Sequence, residues 1–93
     1  MNIQHIKVQQ MNSPKSGNPV ANQFTIQTED GVYFQSYWTI IAFRANDGTI
    51  TLDSEDWNYS RTTAKYRNAF LGENTAETRK KVKNGEYKLA NLN

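Results

Sequence analysis

The sequence predicts an α+β fold in which an antiparallel sheet of three to four strands carries two short helices on one face. Two Asp-Gly pairs, Asp30-Gly31 and Asp47-Gly48, each lie between runs of β-prone residues, the strongest short-range signal for a hairpin. Further on, the stretches 60–72 and 74–85 each open on a capping residue and close on glycine, as short helices do. A length of 93 residues suits one small domain with one core, so residues 1–93 are expected to form a single domain.

The chain begins with an expected edge strand, Ile3 to Gln9, in which His5 is an exposed edge residue. "NSPKSGNPVAN", residues 12–22, holds two prolines and a glycine and is expected to be a flexible loop. The hairpins come next. If each Asp-Gly pair is a two-residue loop, Glu29 pairs with Val32 and Asn46 with Thr49, and the remaining pairs follow by counting. A single long strand, Val32 to Ala45, is then common to both hairpins. The two counts agree on one apolar layer: Phe24, Ile26, Tyr33, Tyr37, Ile41, Phe43, Ala45, Ile50 and Leu52, the expected core. The opposite face reads Gln23, Thr25, Gln27, Phe34, Ser36, Trp38, Ile40, Ala42, Arg44, Thr49, Thr51 and Asp53, a polar surface interrupted by Phe34, Trp38 and Ile40.

In the first helix Ser60 is the expected N-cap and Gly72 the residue past the end, with Tyr66, Ala69 and Phe70 at inward spacing. Asn74 or Thr75 caps the second, Glu77 occupies its first turn, and lysines near its end complement the helix dipole before Gly85. "EYKLANLN" closes the chain as a short strand or extended tail.

Composition excludes several chemistries. The chain has no cysteine and one histidine, which removes disulfides, thiolate nucleophiles and cysteine- or histidine-built metal sites, and no metal or cofactor is expected. With 37% hydrophobic residues and 12% aromatic, a few large rings must supply much of a thin core, a situation that self-association would relieve. Charge is uneven: residues 1–60 hold three Lys or Arg against six Asp or Glu, whereas residues 61–93 hold eight against three. An anionic partner is sought first in the basic third. "MNIQHIKVQQ" lacks the basic start and apolar run of a signal peptide, and no membrane-length apolar run occurs, so no membrane association is expected.

The segments "NQF", "QSYWTIIA", "LDSEDWNYSRTT" and "FLGENTAETRKKVKNGEY" resemble a family of small open reading frames of unknown function in bacteriophages and related mobile elements. The resemblance covers residues 20–93. It implies a phage origin and the cytoplasm of an infected bacterium, and it supplies no catalytic residues. Small phage proteins often antagonise host defence or host machinery, and that association ranks the readings below.

Two stretches are candidate sites. In "NYSRTTAKYRNAF" a helix start exposes backbone N–H groups and the positive end of the helix dipole, where an anion is stabilised. Ser60, Thr62 and Thr63 add hydroxyls, Arg61, Lys65 and Arg67 add charge, and Tyr59 and Tyr66 offer rings against which a base can lie. The competing reading is an ordinary capped helix with Tyr66 in the core. The second candidate is the face carrying Gln23, Thr25, Phe34, Ser36, Trp38 and Ile40, which either meets a partner protein or another copy, or is covered by the chain itself. Asp53, Glu55 and Asp56 are close in sequence but read more simply as loop solvation and caps than as acid and base or as ligands of a divalent cation. The leading expectation is therefore a non-enzymatic module that binds a phosphate-bearing small molecule or nucleic acid. The alternative is a protein inhibitor, of a host protein for example, or a homo-oligomer that docks through the Trp38 face.

Overall fold

A computed structural model describes residues 6–93. Its elements are β1 (Lys7–Asn12), β2 (Pro19–Gln27), β3 (Gly31–Ser36), β4 (Thr39–Ala45), β5 (Ile50–Asp53), α1 (Arg61–Leu71), α2 (Thr75–Lys83) and β6 (Lys88–Ala90). The strands make one sheet in the order β1 to β6. Neighbours are antiparallel except β5 and β6, which run parallel. The α+β class and the two helices stand as expected. The sheet is larger, at six strands rather than three or four, and it is mixed.

Three local features separate the observed sheet from the expected one. The first lies in the proline-bearing stretch. Only residues 13–18 are irregular, closed by the Ser13 amide on the Asn18 carbonyl at 2.8 Å, and β2 already begins at Pro19. A proline is tolerated there because it is the first residue of its strand. The expected first strand reached only Gln9, whereas β1 runs on to Asn12; Ile3, Gln4 and His5 lie outside the described residues.

The second feature divides the long strand expected from Val32 to Ala45. Tyr37 and Trp38 form a tight turn, Ser36 pairs with Thr39, and the chain doubles back. Tyr37 has a φ of 57°, a left-handed conformation that carries a steric cost for a residue with a Cβ. Its amide donates to the Asn22 carbonyl at 2.6 Å, and its carbonyl accepts from Gln35 Nε2 at 2.7 Å. One tertiary and one local hydrogen bond hold a turn that contains no glycine, asparagine or aspartate.

The third feature is register. At the first Asp-Gly pair the ladder begins with Gln27 opposite Val32, so Phe24 faces Gln35 rather than Tyr37. A shift of two leaves the faces unchanged. Gly31 is needed there, since a Cβ would lie 2.1 Å from the Arg44 carbonyl oxygen. At the second pair the Ala45 amide bonds the Thr49 carbonyl, Gly48 takes a φ of 91°, and Asn46, Asp47 and Gly48 form a three-residue loop. Phe43 consequently faces Thr51, and Ala42 faces Leu52. A shift of one exchanges the faces.

The core is therefore not the layer expected. α1 packs on the face of Gln23, Thr25, Phe34, Ser36, Ala42 and Arg44, and the buried apolar residues are Phe34, Ile41, Ala42, Ile50, Leu52, Tyr66 and Tyr87. Phe24, Ile26, Tyr33 and Phe43, expected in the core, lie half-buried on the other face. Tyr37 is exposed in the turn. Ile41 does reach the core, because a bulge opposite Phe34 and Gln35 inserts it as an extra residue.

What the helix side offers is complementarity rather than hydrophobicity. Small residues, Ser36 and Ala42, allow α1 to approach, and two polar side chains meet partners on it: Ser36 Oγ lies 2.9 Å from Thr63 Oγ1, and Arg44 donates to the Phe70 carbonyl, while Gln23 Oε1 is buried without a partner. The Arg44 guanidinium also covers the Phe70 ring at 4.5 Å, and Phe34 stacks on Phe70 with centroids 5.8 Å apart.

Both helices are capped as their sequences suggest. Ser60 Oγ accepts from the Thr63 amide, Gly72 takes the left-handed conformation, and the Gly72 and Glu73 amides both donate to the Asn68 carbonyl. Asn74 and Glu77 form a reciprocal capping box at the start of α2. Tyr66 is buried and Phe70 half-buried, but Ala69, expected inward, is exposed. The turn between the helices is locked by Glu73, which accepts from Thr78 Oγ1 at 2.5 Å, Tyr87 Oη at 2.6 Å and Lys81 Nζ at 2.8 Å. No helix among the described residues is long and apolar enough to cross a membrane.

Truncation separates the two faces. Phe34→Ala should cost about 3–5 kcal/mol and Leu52→Ala about 2–5 kcal/mol, while Thr51→Ala should stay within about 0.5 kcal/mol, as read by denaturant unfolding. A Thr51 variant as damaging as the Leu52 variant would show the register to be wrong.

Candidate functional site

A pocket of about 370 Å³ lies where α1 begins, lined by Asn58, Tyr59, Ser60, Arg61, Ala64 and Thr75. It contains no carboxylate. Ser60 has extended backbone, φ −148° and ψ 159°, and its hydroxyl accepts from the Thr63 amide at 3.1 Å. The Ala64 amide bonds the Ser60 carbonyl at 3.0 Å. That leaves the Arg61 and Thr62 amides as helix-start donors with no partner inside the helix. α2 places Glu77 in its first turn, but α1 has no acidic residue there, so its dipole is not offset locally.

Behind the pocket wall lies Arg67, the largest fully buried side chain. One terminal nitrogen donates to the Trp57 carbonyl at 2.6 Å and to Asn58 Oδ1 at 3.1 Å. The other donates to Asn68 Oδ1 and to Thr75 Oγ1, both at 3.0 Å. Nε is buried without a partner, and the guanidinium stands 5.2 Å over the Trp57 ring. Among the described residues the ion pairs run from Lys81 to Glu73 and Glu86, and no carboxylate reaches Arg67. Burial lowers its pKa, and the charge of Glu73 opposes that; the group remains a cation at neutral pH. A buried cation is thus held by neutral oxygens, two of them on residues that also line the pocket.

The eight residues singled out in this stretch divide accordingly. Tyr59, Ser60 and Arg61 line the pocket, and Tyr59 is 49% exposed. Thr62 and Lys65 are exposed but outside the lining, with Lys65 Nζ 5.6 Å from the Tyr66 ring. Thr63 and Tyr66 are buried in the helix–sheet contact, and Arg67 braces the wall. Three pocket residues, Asn58, Ala64 and Thr75, are not among the expected ligand residues, and Ala64 brings no polar group. The sequence signal for Thr75 was only its place at a second helix start, and Asn58 carried none.

The second candidate surface does not exist as one surface. Gln23, Phe34 and Ser36 are buried on the helix side, with Thr25 half-buried beside them, because α1 packs on that face. Trp38 is 90% exposed in the β3–β4 turn. Ile40 lies on the other face, opposite Gln35.

Asp53, in the acidic stretch, is a structural junction. Its Oδ2 accepts the Glu55 and Asp56 amides at 3.2 and 2.9 Å, and its Oδ1 accepts the Leu92 amide at 2.9 Å and Asn93 Nδ2 at 3.2 Å. Burial pushes its pKa up, but these bonds to the charged form outweigh burial and hold it below the usual carboxylate range. Among the described residues no group of three or more His, Cys, Asp or Glu is placed to hold a metal ion.

The fold and pocket define a small α+β domain with a cationic helix-start cavity. The chain belongs to a family of unknown function (DUF8033), whose sequence pattern spans residues 6–86. No curated protein and no solved structure matches it.

Asp53 makes stability depend on pH. Its folded pKa lies below the unfolded value of about 4, so its contribution is complete above that value and is lost as pH falls through the folded one. Thermal midpoints should drop for the parent below about pH 4. Asp53→Asn should be less stable at pH 7 and show a shallower acid loss; identical acid profiles would remove Asp53 from this role.

Proposed function

We propose that this chain is a non-enzymatic binding module that captures a phosphate-bearing ligand, a nucleotide signal or a nucleic-acid backbone, at the start of α1. One observation carries the reading. Arg67 is wholly buried without a carboxylate partner, and its guanidinium bonds Asn58 and Thr75 in the wall of a pocket that the first turn of α1 also lines. Burying an unpaired cation is costly, and an anion in the pocket offsets that cost through one layer of polar side chains.

The rest of the pocket suits the same ligand. The Arg61 and Thr62 amides point out of the helix start, and Arg61 supplies a mobile cation at the mouth. The exposed Tyr59 ring is a surface on which a base can stack. The Ser60 hydroxyl already accepts from Thr63, which leaves its proton for a phosphate oxygen. No nucleophile with an adjacent base lines the cavity, so the reading is capture rather than turnover. With the resemblance to phage open reading frames, the ligand belongs to an infected cell, where sequestering a nucleotide signal would antagonise host defence.

Calorimetric titration with mono-, di- and cyclic nucleotides at low and moderate salt tests this. Binding should weaken with salt, and Arg61→Ala should weaken it at least tenfold while leaving thermal stability nearly unchanged. Lys83→Ala, at the far end of α2, should bind as the parent does. Ser60→Ala should lose affinity and also about 0.5–2 kcal/mol of stability, because it removes the cap. Absence of binding across the panel, or an Arg61 variant as tight as the parent, would overturn the proposal.

A further inference from the structure

The face of the sheet away from the helices is the largest feature that the helix-start pocket leaves unused. Strand register lays one row straight across all six strands on this face: Val8, Ile26, Tyr33, Phe43, Thr51 and Lys88. The next row carries Phe24, Gln35 and Ile40. Tyr33 and Phe43 touch, with ring centroids 4.4 Å apart. The molecule measures 35 × 33 × 21 Å, and the short dimension accommodates one helix layer on one sheet, with no layer of the described residues over this side.

The C-terminal tail shapes the middle of the face. Asn93 accepts from the Ile40 amide through Oδ1 at 2.8 Å and donates to the Ile40 carbonyl through Nδ2 at 2.9 Å. This clamp sets Leu92 beside Ile26, Tyr33 and Ile40, and the four line an apolar groove of about 220 Å³, room for one large aromatic side chain. Two residues before Ile40, Trp38 is 90% exposed in the β3–β4 turn. An apolar groove and an unburied indole therefore sit next to each other on one rim.

We infer that this face is a two-fold interface with a second copy of the chain, in which Trp38 of each protomer fills the Ile26–Tyr33–Ile40–Leu92 groove of its partner. Because knob and groove lie close together on one molecule, a two-fold axis beside them satisfies both at once and closes the assembly at a dimer. Size agrees with this. With strands about 4.8 Å apart and about 3.3 Å per residue, the sheet presents on the order of 500 Å² of flat surface per copy. Two copies reach about 1,000 Å² before side-chain relief and the Trp38 turn are added, which is the threshold for a specific association. Charge agrees as well: the cross-strand row is uncharged from Val8 to Thr51 and meets its one cation, Lys88, at the far edge, so the face suits an apolar protein surface rather than a polyanion.

Sedimentation equilibrium of the full chain over a wide concentration range tests this, with circular dichroism to check folding. The parent should sediment at twice its 10.7 kDa mass. Trp38→Arg should raise the dimer dissociation constant at least a hundredfold with the fold intact. Val8→Lys, at a position 59% exposed, should raise it at least fivefold and cannot act through the core. A monomer at every concentration overturns the proposal, as does a dimer indifferent to both substitutions. A monomer that instead co-sediments with neutral phospholipid vesicles through Trp38 also overturns it and assigns the face to a lipid surface.

Discussion

The guanidinium of Arg67 is the contact on which the helical layer and the pocket both depend. Through four hydrogen bonds it joins the loop before α1, α1 itself and the first residue of α2, and among the described residues no other buried side chain bonds to all three. A fork of rigid, planar donors is suited to this, since each nitrogen can hold two oxygens at fixed angles, which a lysine could not do. The Trp57 ring lies against the fork, its centroid 5.2 Å from the guanidinium carbon. The cost is a buried charge with no carboxylate bonded to it, Glu73 opposing that cost only from a distance.

That arrangement divides labour between the helix ends. Glu73 supplies the negative charge for the α1–α2 turn, but it is used by Thr78, Lys81 and Tyr87 rather than by Arg67. Asp53 does comparable work at the end of β5, where it gathers four N–H donors and anchors the tail that forms the groove wall on the open face. Both acids are thus occupied, and the cationic helix start is left electrostatically unbalanced. The helix start and the open apolar face point to different kinds of ligand, and they lie on opposite sides of the sheet.

Much of the architecture was legible in the sequence, but the assignment of faces was not. Ser60, Gly72, Asn74 and Glu77 marked both helices because a cap is a local event, set by one side chain and a few amides. The Asp-Gly pairs marked hairpins for the same reason. Whether each loop holds two, three or four residues depends on contacts made elsewhere, such as the approach of Gly31 to Arg44, and a single residue exchanged the faces of β5 and its neighbours. The Tyr37–Trp38 turn had no sequence signal because a long-range bond to Asn22 helps to hold it. Choosing the more apolar layer as the core failed since the helices required small side chains and hydrogen-bonding partners, and the ringed layer was left uncovered. At the site, the hydroxyls and cations of "YSRTTAKYR" were legible as a cluster, but their separation into pocket, core and brace follows from the orientation of one helix on the sheet.

The central claim is that the buried, unpaired Arg67 and the open first turn of α1 act together on one anion. The most direct measurement is a nitrogen–proton correlation spectrum of the labelled chain titrated with pyrophosphate, which reports the Arg67 Nε–H and the backbone amides separately. The account predicts that the Arg61 and Thr62 amides and the Arg67 Nε–H shift together along one saturating curve. Shifts confined to the exposed lysines of α2, or an Arg67 signal that stays fixed while the helix-start amides move, would contradict it.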